Sequence, residues 1–227
     1  MPRRYGFTAT RRELQKRFHA DVAVPELTRR YNIAATQSLP VVINQATPIV
    51  TPMRWGLIPS WATDDQIGSR TINARAETLA EKPSYRQALR FQRAIIPASF
   101  FYAWRETEHG KVPYYLFAKD ETIMGFAGLY AVWKSPTGAV VHSYTIITVP
   151  PNAYMQPIAD RMPAILRRED ERRWLDPDLT DPQRVLPLLR PYPSEQIDGY
   201  TIGRDVNSPA IDTVDLITPV AYRFLSE

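Results

Sequence analysis

Short runs of apolar residues alternate with polar segments along most of the chain, which is the pattern of β strands rather than of long helices. Residues 140–149 form the clearest strand, and the apolar runs 100–104 and 114–117 flank a polar segment that contains Gly110, as in a β hairpin. Weaker signals predict strands within residues 39–50, 53–61, 94–97, 122–133, 200–202 and 215–219.

Helices are expected to be short. Thr10 is a suitable N-cap for a helix within residues 10–18, in which Leu14 and Phe18 lie on one face. Further short helices are predicted at residues 168–175 and 178–190, both close to prolines. These patterns predict an α+β fold with mostly antiparallel strands. Since we find no linker and no internal repeat, we expect one domain over residues 1–227.

The absence of cysteine restricts the chemistry of the chain. It excludes disulfides, zinc fingers, iron–sulfur clusters and cysteine nucleophiles. The three histidines, His19, His109 and His142, are too widely spaced for an imidazole-rich metal site. We therefore expect neither a metal nor a cofactor.

The formal net charge of +4 comes mostly from arginine. Guanidinium groups match phosphate geometry, so a nucleic acid is one expected partner, and an ordinary basic soluble protein is the alternative. The chain has no signal-peptide pattern and no uninterrupted apolar run of about 18 residues. We therefore expect no membrane partner and a location in the cytoplasm, with association with the nucleoid if the source is bacterial. We also expect a monomer.

Seven segments spread over almost the whole chain carry a family signature. They are RYGFT (4–8), YNIAATQ (31–37), RWGLIPSW (54–61), TINARAET (71–78), IIPASFFYAW (95–104), IADRMPAIL (158–166) and DLITP (215–219). In this order and spacing they resemble the SRAP family, the SOS response-associated peptidase domain. The resemblance implies a single SRAP-like domain with a curved, barrel-like sheet core and flanking short helices.

The same resemblance implies a role in the DNA-damage (SOS) response. Members of the family bind single-stranded DNA in a basic groove and recognise abasic sites. They form a DNA–protein crosslink, a thiazolidine, through a cysteine at the second codon that is exposed when Met1 is removed. This removal underlies the name peptidase. An asparagine, a glutamate and a histidine assist the chemistry.

This chain departs from that pattern at the catalytic positions. Pro2 stands where the family has cysteine, and Arg3 stands where it has glycine. Ala103 replaces the glutamate and Ala159 replaces the histidine, so that only Asn73 is kept. Without cysteine no residue supplies the 1,2-aminothiol that a thiazolidine needs. Whether the chain is an enzyme is therefore open.

Arginines in the two best-preserved motifs are candidate DNA contacts by resemblance. Arg75 is expected to hold a DNA phosphate and Arg161 to line the same groove. The alternative for both is an internal ion pair with Glu77 or Asp160. Arg4 is a further basic candidate.

Four other residues complete the candidate site. Asn73 is expected to contact the sugar or the N-terminal residue, and its alternative is to cap a turn. Arg54 is a basic candidate beside Trp55, which is expected to stack on a base or wedge between bases unless it is a core residue. Thr148 is a candidate for a hydroxyl hydrogen bond.

Three functions stay open. The first is a non-enzymatic protein that binds single-stranded or abasic DNA. In the second, removal of Met1 frees the secondary amine of Pro2, which attacks the sugar aldehyde as a Schiff-base nucleophile, giving a transient crosslink or strand cleavage. The missing proton-transfer groups count against this reaction. The third is a decayed scaffold kept for protein contacts.

Overall fold

Thirteen β strands carry the fold in the computed structural model, which describes residues 3–45 and 47–225. The strands are β1 (Tyr5–Phe7), β2 (Asp21–Val22), β3 (Arg30–Ile33), β4 (Ser38–Asn44), β5 (Pro48–Trp55), β6 (Asn73–Arg75), β7 (Arg93–Ala98), β8 (Phe100–Thr107), β9 (Gly110–Ala118), β10 (Met124–Lys134), β11 (Val140–Val149), β12 (Met162–Pro163) and β13 (Ile197–Thr201).

The helices in the same residues are short, as the sequence predicts. The α-helices are α1 (Arg11–Phe18), α2 (Arg86–Phe91), α3 (Arg168–Trp174) and α4 (Pro182–Val185). The 3-10 helices are Gln66–Arg70, Ala76–Thr78, Leu186–Leu188, Ser194–Gln196, Arg204–Asn207, Val214–Ile217 and Arg223–Leu225. Within the described ranges, no helix has the length and apolar character needed to cross a membrane.

Five strands close into a ring. β4 pairs antiparallel with β5 and with β7, β7 pairs with β10, and β10 pairs with β11. The ring closes where β11 runs parallel to β5, with Ser143 opposite Arg54 and Tyr144 opposite Trp55. Closure pairs both edges of these strands and forces the sheet to curve. The α+β fold with a barrel-like, mostly antiparallel core is thereby confirmed.

Aromatic side chains pack where the ring closes. Trp55 and Tyr144 are fully buried, and their rings are stacked with centroids 6.4 Å apart. Tyr5 of β1 meets the Trp55 ring edge-on at 5.2 Å, and its hydroxyl lies 2.7 Å from the hydroxyl of Tyr144. Burial strongly raises the pKa of Tyr144, so this hydroxyl pair stays neutral. Because β1 lies outside the ring, the cluster joins two sheets.

The second sheet is antiparallel, in the order β13-β9-β8-β1-β3. Phe101 on its inner face packs edge-on against Phe126 of the barrel, with ring centroids 5.9 Å apart. Its outer face carries Phe100 and Tyr102, which are covered by apolar side chains near the carboxyl end of the chain. These covering residues are Ile202, Val206 and Leu216.

The predicted elements agree best with the structure in the barrel. β11 has the predicted bounds, and α1 follows Thr10, whose side chain forms a capping box with Glu13. The hairpin is confirmed, although its strands extend through the polar segment until Thr107 pairs with Gly110.

Two predictions near the carboxyl end need correction: the strand at 215–219 is wrong, and the helix within 178–190 is shorter than predicted. Residues 215–219 do not form a strand, because Val214–Ile217 is a 3-10 helix that turns Leu216 inward, and only Pro219 forms a bridge, with Ile202. Within 178–190 the α-helix covers only Pro182–Val185 before it tightens into the 3-10 helix Leu186–Leu188.

A buried ion-pair network connects α1 to α3. The Arg17 guanidinium donates to both carboxylate oxygens of Glu171, at 2.7 and 2.6 Å, and to Glu121 at 3.1 Å. The side chain of Arg17 is 5% exposed, and those of Glu171 and Glu121 are 11% and 9% exposed. Burial raises the pKa of Glu171, and the hydrogen bonds from Arg17 oppose this shift.

We predict that Arg17→Met lowers the free energy of unfolding by about 3–5 kcal/mol, because two buried carboxylates lose their shared cation. Arg190→Met is the matched control: Arg190 pairs with Asp170 at 2.7 Å but is 45% exposed. Loss of such a pair costs about 1 kcal/mol or less. Urea unfolding at pH 7 measures both. Equal losses in the two variants would contradict a dominant role for the buried network.

Candidate functional site

A groove of about 1000 Å³ opens beside the amino end of β1. Four parts of the chain form it: the residues before β1, the β8–β9 hairpin, the segment before β12, and the 3-10 helix Arg204–Asn207. The lining residues are Arg3, Arg4, Ala103, Trp104, Glu106, Lys111, Gln156, Pro157, Ile158, Ala159, Asp160 and Asn207. The volume is that of a ligand-binding cleft.

Arg4 is held in place at this groove. Its Nη1 donates to Oδ1 of Asn32 at 3.2 Å, and its Nη2 donates to the carbonyl oxygen of Asn207 at 3.0 Å. Partial burial lowers the pKa of Arg4. Asn207 also accepts a hydrogen bond from Nε1 of Trp104 through its side-chain oxygen, at 2.9 Å. One residue therefore orients both a cation and an indole at the groove.

The loop that carries Asn207 is itself fixed by β3. Asn32 is fully buried, and its Nδ2 donates to the carbonyl oxygens of Ser208 and Ile211, both at 2.8 Å. The Asp212 carboxylate accepts hydrogen bonds from Nε of Arg30 at 2.5 Å and from the backbone N–H of Asn32 at 2.8 Å. Burial opposes ionisation of Asp212, but these hydrogen bonds outweigh it and lower its pKa. The wall of the groove is thus rigidly anchored.

Two of the replaced catalytic positions face this groove. Ala103 lies on β8 and Ala159 lies before β12, yet both line the same space. Ala103 is 5% exposed and Ala159 is half-buried. Methyl groups therefore stand where the SRAP resemblance implies a carboxylate and an imidazole. Pro2, the third replaced position, lies outside the described residues, although Arg3 and Arg4 directly after it line the groove.

Arg161 forms the ion pair that was the alternative to a DNA contact. Its Nη1 and Nη2 donate to the two carboxylate oxygens of Glu77 at 2.7 and 2.8 Å. Nη2 also donates to the carbonyl oxygen of Thr148 at 2.6 Å, and the side chain is 12% exposed. The hydrogen bonds from Arg161 lower the pKa of Glu77, against a smaller opposite effect of burial.

Asn73 and Arg75 lie on β6, which runs parallel to β11. Asn73 is half-buried opposite Ile146, whereas Arg75 is exposed opposite Thr148. Thr148, the candidate for a hydroxyl hydrogen bond, is fully buried, and its hydroxyl donates to the carbonyl oxygen of Ala74 at 3.4 Å. The short β6 therefore presents Arg75 to solvent next to the Arg161–Glu77 pair.

Trp55 takes the position given as the alternative to base stacking, that of a core residue. The side chain is fully buried, and its Nε1 donates to the carbonyl oxygen of Ile72 at 2.8 Å. Gly56 then turns the chain with φ of 121°, where a Cβ atom would lie 2.4 Å from the carbonyl oxygen of Gly68. Arg54 points into this connection, since its Nη1 pairs with Asp65 at 2.7 Å.

Two tryptophans have surfaces that the sequence interpretation did not assign. Trp61 is 59% exposed, so it offers a ring face to solvent that Trp55 lacks. Trp104 is half-buried and lines the groove. Residues 55–59 are buried, and the chain becomes exposed at Ser60 and Trp61. Trp61 therefore lies where the chain leaves the core.

Glu106 and Lys111 of the β8–β9 hairpin lie at the groove. They are opposite each other on β8 and β9, with Nζ of Lys111 3.7 Å from a Glu106 oxygen. Their side chains are 82% and 64% exposed. In the parts of the chain that the structure describes, no group of three or more histidine, aspartate or glutamate side chains is arranged to hold a metal ion.

This arrangement defines a class of protein: an α+β barrel domain with a basic groove at its amino end. The chain belongs to the SOS response associated peptidase (SRAP) family, whose model matches residues 1–209. It is 42% identical over 209 residues to the abasic site processing protein YoqW of Bacillus subtilis, covering 90% of this chain and 93% of that protein.

Two further matches extend over most of the chain. The abasic site processing protein HMCES of Gallus gallus is 29% identical, with 84% of this chain and 66% of that protein covered. A crystal structure of a Bacteroides thetaiotaomicron protein superposes with a TM-score of 0.88 at 31% identity, covering 96% of this chain and 99% of that one.

We predict that Glu77→Gln destabilises the chain by roughly 1 kcal/mol at pH 7, since Glu77 is half-exposed and its pair with Arg161 is partly screened. A carboxylate with a lowered pKa stabilises the fold above its unfolded value of 4.5 and loses this contribution as the pH falls. The difference from the parent should therefore shrink as the pH falls below 4.5 and through the lowered pKa of Glu77 in the folded state. Thermal unfolding between pH 3 and 7 measures it, with the exposed Glu106→Gln as control. A difference that stays constant with pH would contradict the ion-pair explanation.

Proposed function

We propose that this protein binds single-stranded DNA at an abasic site, with the damaged nucleotide in the groove beside Arg4. The single observation that carries the proposal is the convergence of Arg3, Arg4, Ala103 and Ala159 on one cavity. It is supported by the names of the relatives YoqW and HMCES, both abasic site processing proteins. Membership of the SRAP family supports a role in the response to DNA damage.

The proposed activity excludes the thiazolidine crosslink. A thiazolidine needs an amine and a thiol on neighbouring carbons, and the chain has no cysteine. Positioned acid and base groups contribute about 10²–10⁴-fold each to such reactions, and Ala103 and Ala159 supply neither. The groove therefore retains shape and positive charge while lacking the proton-transfer side chains. A binding protein is the function that this combination favours.

The DNA strand is proposed to run from the groove towards Arg75. Arg75 is exposed and thus open to a phosphate, whereas Arg161 is committed to Glu77 and acts by holding β12 and β6 against β11. Exposed Trp61 takes the base-stacking role first expected of Trp55, since stacking needs an accessible ring face. Asn73, half-buried beside Arg75, remains the candidate contact to the sugar.

The decisive test restores the missing side chains. We predict that Pro2→Cys, Ala103→Glu, Ala159→His in one chain forms a heat-stable crosslink to an oligonucleotide with one abasic site, whereas the parent binds it without crosslinking. Denaturing gels measure the crosslink, and a gel shift at several salt concentrations measures binding, whose affinity should fall steeply with salt.

Pro2→Cys with both alanines retained is the matched control and should crosslink more slowly. Absence of salt-dependent binding by the parent would refute the proposed function and favour the scaffold for protein contacts. If the parent binds DNA but the triple variant forms no crosslink, the groove does not receive the abasic sugar.

A second candidate function keeps covalent chemistry through Pro2. It is favoured by the position of Arg3 in the groove lining, since the amine of residue 2 is one residue away. After removal of Met1, the secondary amine would add to the sugar aldehyde and lose water, giving an iminium ion.

We predict that borohydride, which delivers hydride to the iminium carbon, traps this adduct only if the amine is reactive. Intact-mass spectrometry establishes whether Met1 is removed, and Pro2→Ala, which leaves a primary amine, is the comparison. A missing band with borohydride in a protein that lacks Met1 would refute the amine mechanism.

A further inference from the structure

We propose that the groove holds a terminal phosphate monoester of a DNA strand, bound by Arg4 together with Arg3 and Lys111. This inference rests on the proposed function, because it names the part of the DNA that the groove takes. It concerns strand ends, which are distinct from an abasic sugar within a continuous strand.

Arg4 is organised for an anion before any ligand arrives. Its two Nη atoms are fixed by Asn32 and by the carbonyl oxygen of Asn207. Asn32 is fully buried and locked to the loop through Ser208 and Ile211. These contacts engage two of the five N–H donors of a guanidinium, so the rest of the planar fork is held at a set orientation. A donor that is already ordered loses little conformational freedom on binding.

The charges lining the groove favour a monoester over a diester. The cations are Arg3, Arg4 and Lys111, and the acids are Glu106 and Asp160. The Glu106–Lys111 pair is long, at 3.7 Å, and mostly exposed, so a phosphate can compete for the lysine. A monoester carries roughly −1.5 to −2 at pH 7, whereas each internal phosphate carries about one negative charge. Three cations in the lining of one groove therefore favour the doubly charged strand end over an internal phosphate.

Two departures of this chain from the SRAP pattern act in the same direction. Arg3 adds a cation where the resemblance implies glycine, and Ala103 removes the negative charge of a glutamate. Both residues line the groove. Each change makes the cavity more positive, and the smaller Ala103 leaves room for the phosphate oxygens. These two replacements thus have a joint explanation as conversion of a reactive site into an anion site.

The ligand also has a chemical source. When a strand breaks at an abasic sugar by β-elimination, the downstream piece keeps a 5′-phosphate. A 3′-phosphate is left on the upstream piece when the sugar is eliminated completely. The site would accordingly take a product of the reactions that break abasic strands.

Binding of three oligonucleotides of one sequence tests the proposal. They end in hydroxyls only, in a 5′-phosphate or in a 3′-phosphate, and fluorescence anisotropy measures each dissociation constant at about 0.1 M salt. We expect one phosphorylated end to bind about tenfold more tightly than the hydroxyl strand, as for one strong charge-assisted contact. The stronger of the two phosphorylated strands identifies which end the groove takes.

Variants at the hairpin make the test specific. Lys111→Gln should lower the ratio of affinities between phosphorylated and hydroxyl strands about threefold, whereas Glu106→Gln, which releases Lys111, should raise it. Arg3→Gly should also lower it. Lys119→Gln is the matched control: it removes the same charge about 26 Å away along the strand direction and should leave the ratio unchanged.

Equal affinity for all three strands would overturn the phosphate site while leaving the proposed function intact. Equal effects of Lys111→Gln and Lys119→Gln would also overturn it, because the ratio would then report net charge alone. If the protein binds none of the three strands and does not bind an oligonucleotide with an internal abasic site, the proposed function is overturned as well.

Discussion

The parallel pairing of β5 with β11 is the constraint on which the rest of the molecule depends. It closes the ring of five strands and brings Trp55 against Tyr144. β11 then continues past β5 and pairs with β6 at Ile146 to Thr148 and with β12 at Thr148 and Val149. Asn73 and Arg75 of β6 and the segment before β12 take their positions from this one strand. A shift of its register by one residue would turn all of them to the other face.

The second sheet is attached to the barrel by aromatic contacts and places the amino end of the chain. Tyr5 joins the Trp55–Tyr144 stack, so β1 is fixed two residues after Arg3. On the other side, Asn32 and Asn207 hold Arg4. The residues before β1 are therefore positioned from two sides. The aromatic core holds β1, and the loop that carries Asn207 holds Arg4.

The arginines illustrate how different functions arise from one residue type. Arg17 holds two buried carboxylates, Arg161 holds Glu77 and the carbonyl oxygen of Thr148, and Arg4 is oriented at an open cavity. The excess of arginine predicts a basic site, and among the cations of residues 3–45 and 47–225 only Arg3, Arg4 and Lys111 line the groove. Charge composition thus indicates the kind of partner, and packing selects the residues that meet it.

Local patterns in the sequence were sufficient for elements whose residues decide their own conformation. Thr10 and Glu13 make the capping box that starts α1, and the apolar run 140–149 forms β11. The short strands β3 and β6 carry polar residues, and their sequences show no strand pattern. Pairing with neighbouring strands holds them extended. Trp55 follows Arg54 in the sequence, as a base-stacking tryptophan beside a basic residue would, and the closing of the ring buries it.

The sequence by itself determined the family, the α+β class and the lack of the cysteine that a thiazolidine needs, because motifs and composition are properties of the chain alone. Only the tertiary structure decided that Ala103, Ala159 and Lys111 share one cavity, that Asn207 orients Arg4, and that Arg161 is paired. These facts depend on contacts between residues far apart in the chain, and such contacts are set by closure of the barrel and burial of its core.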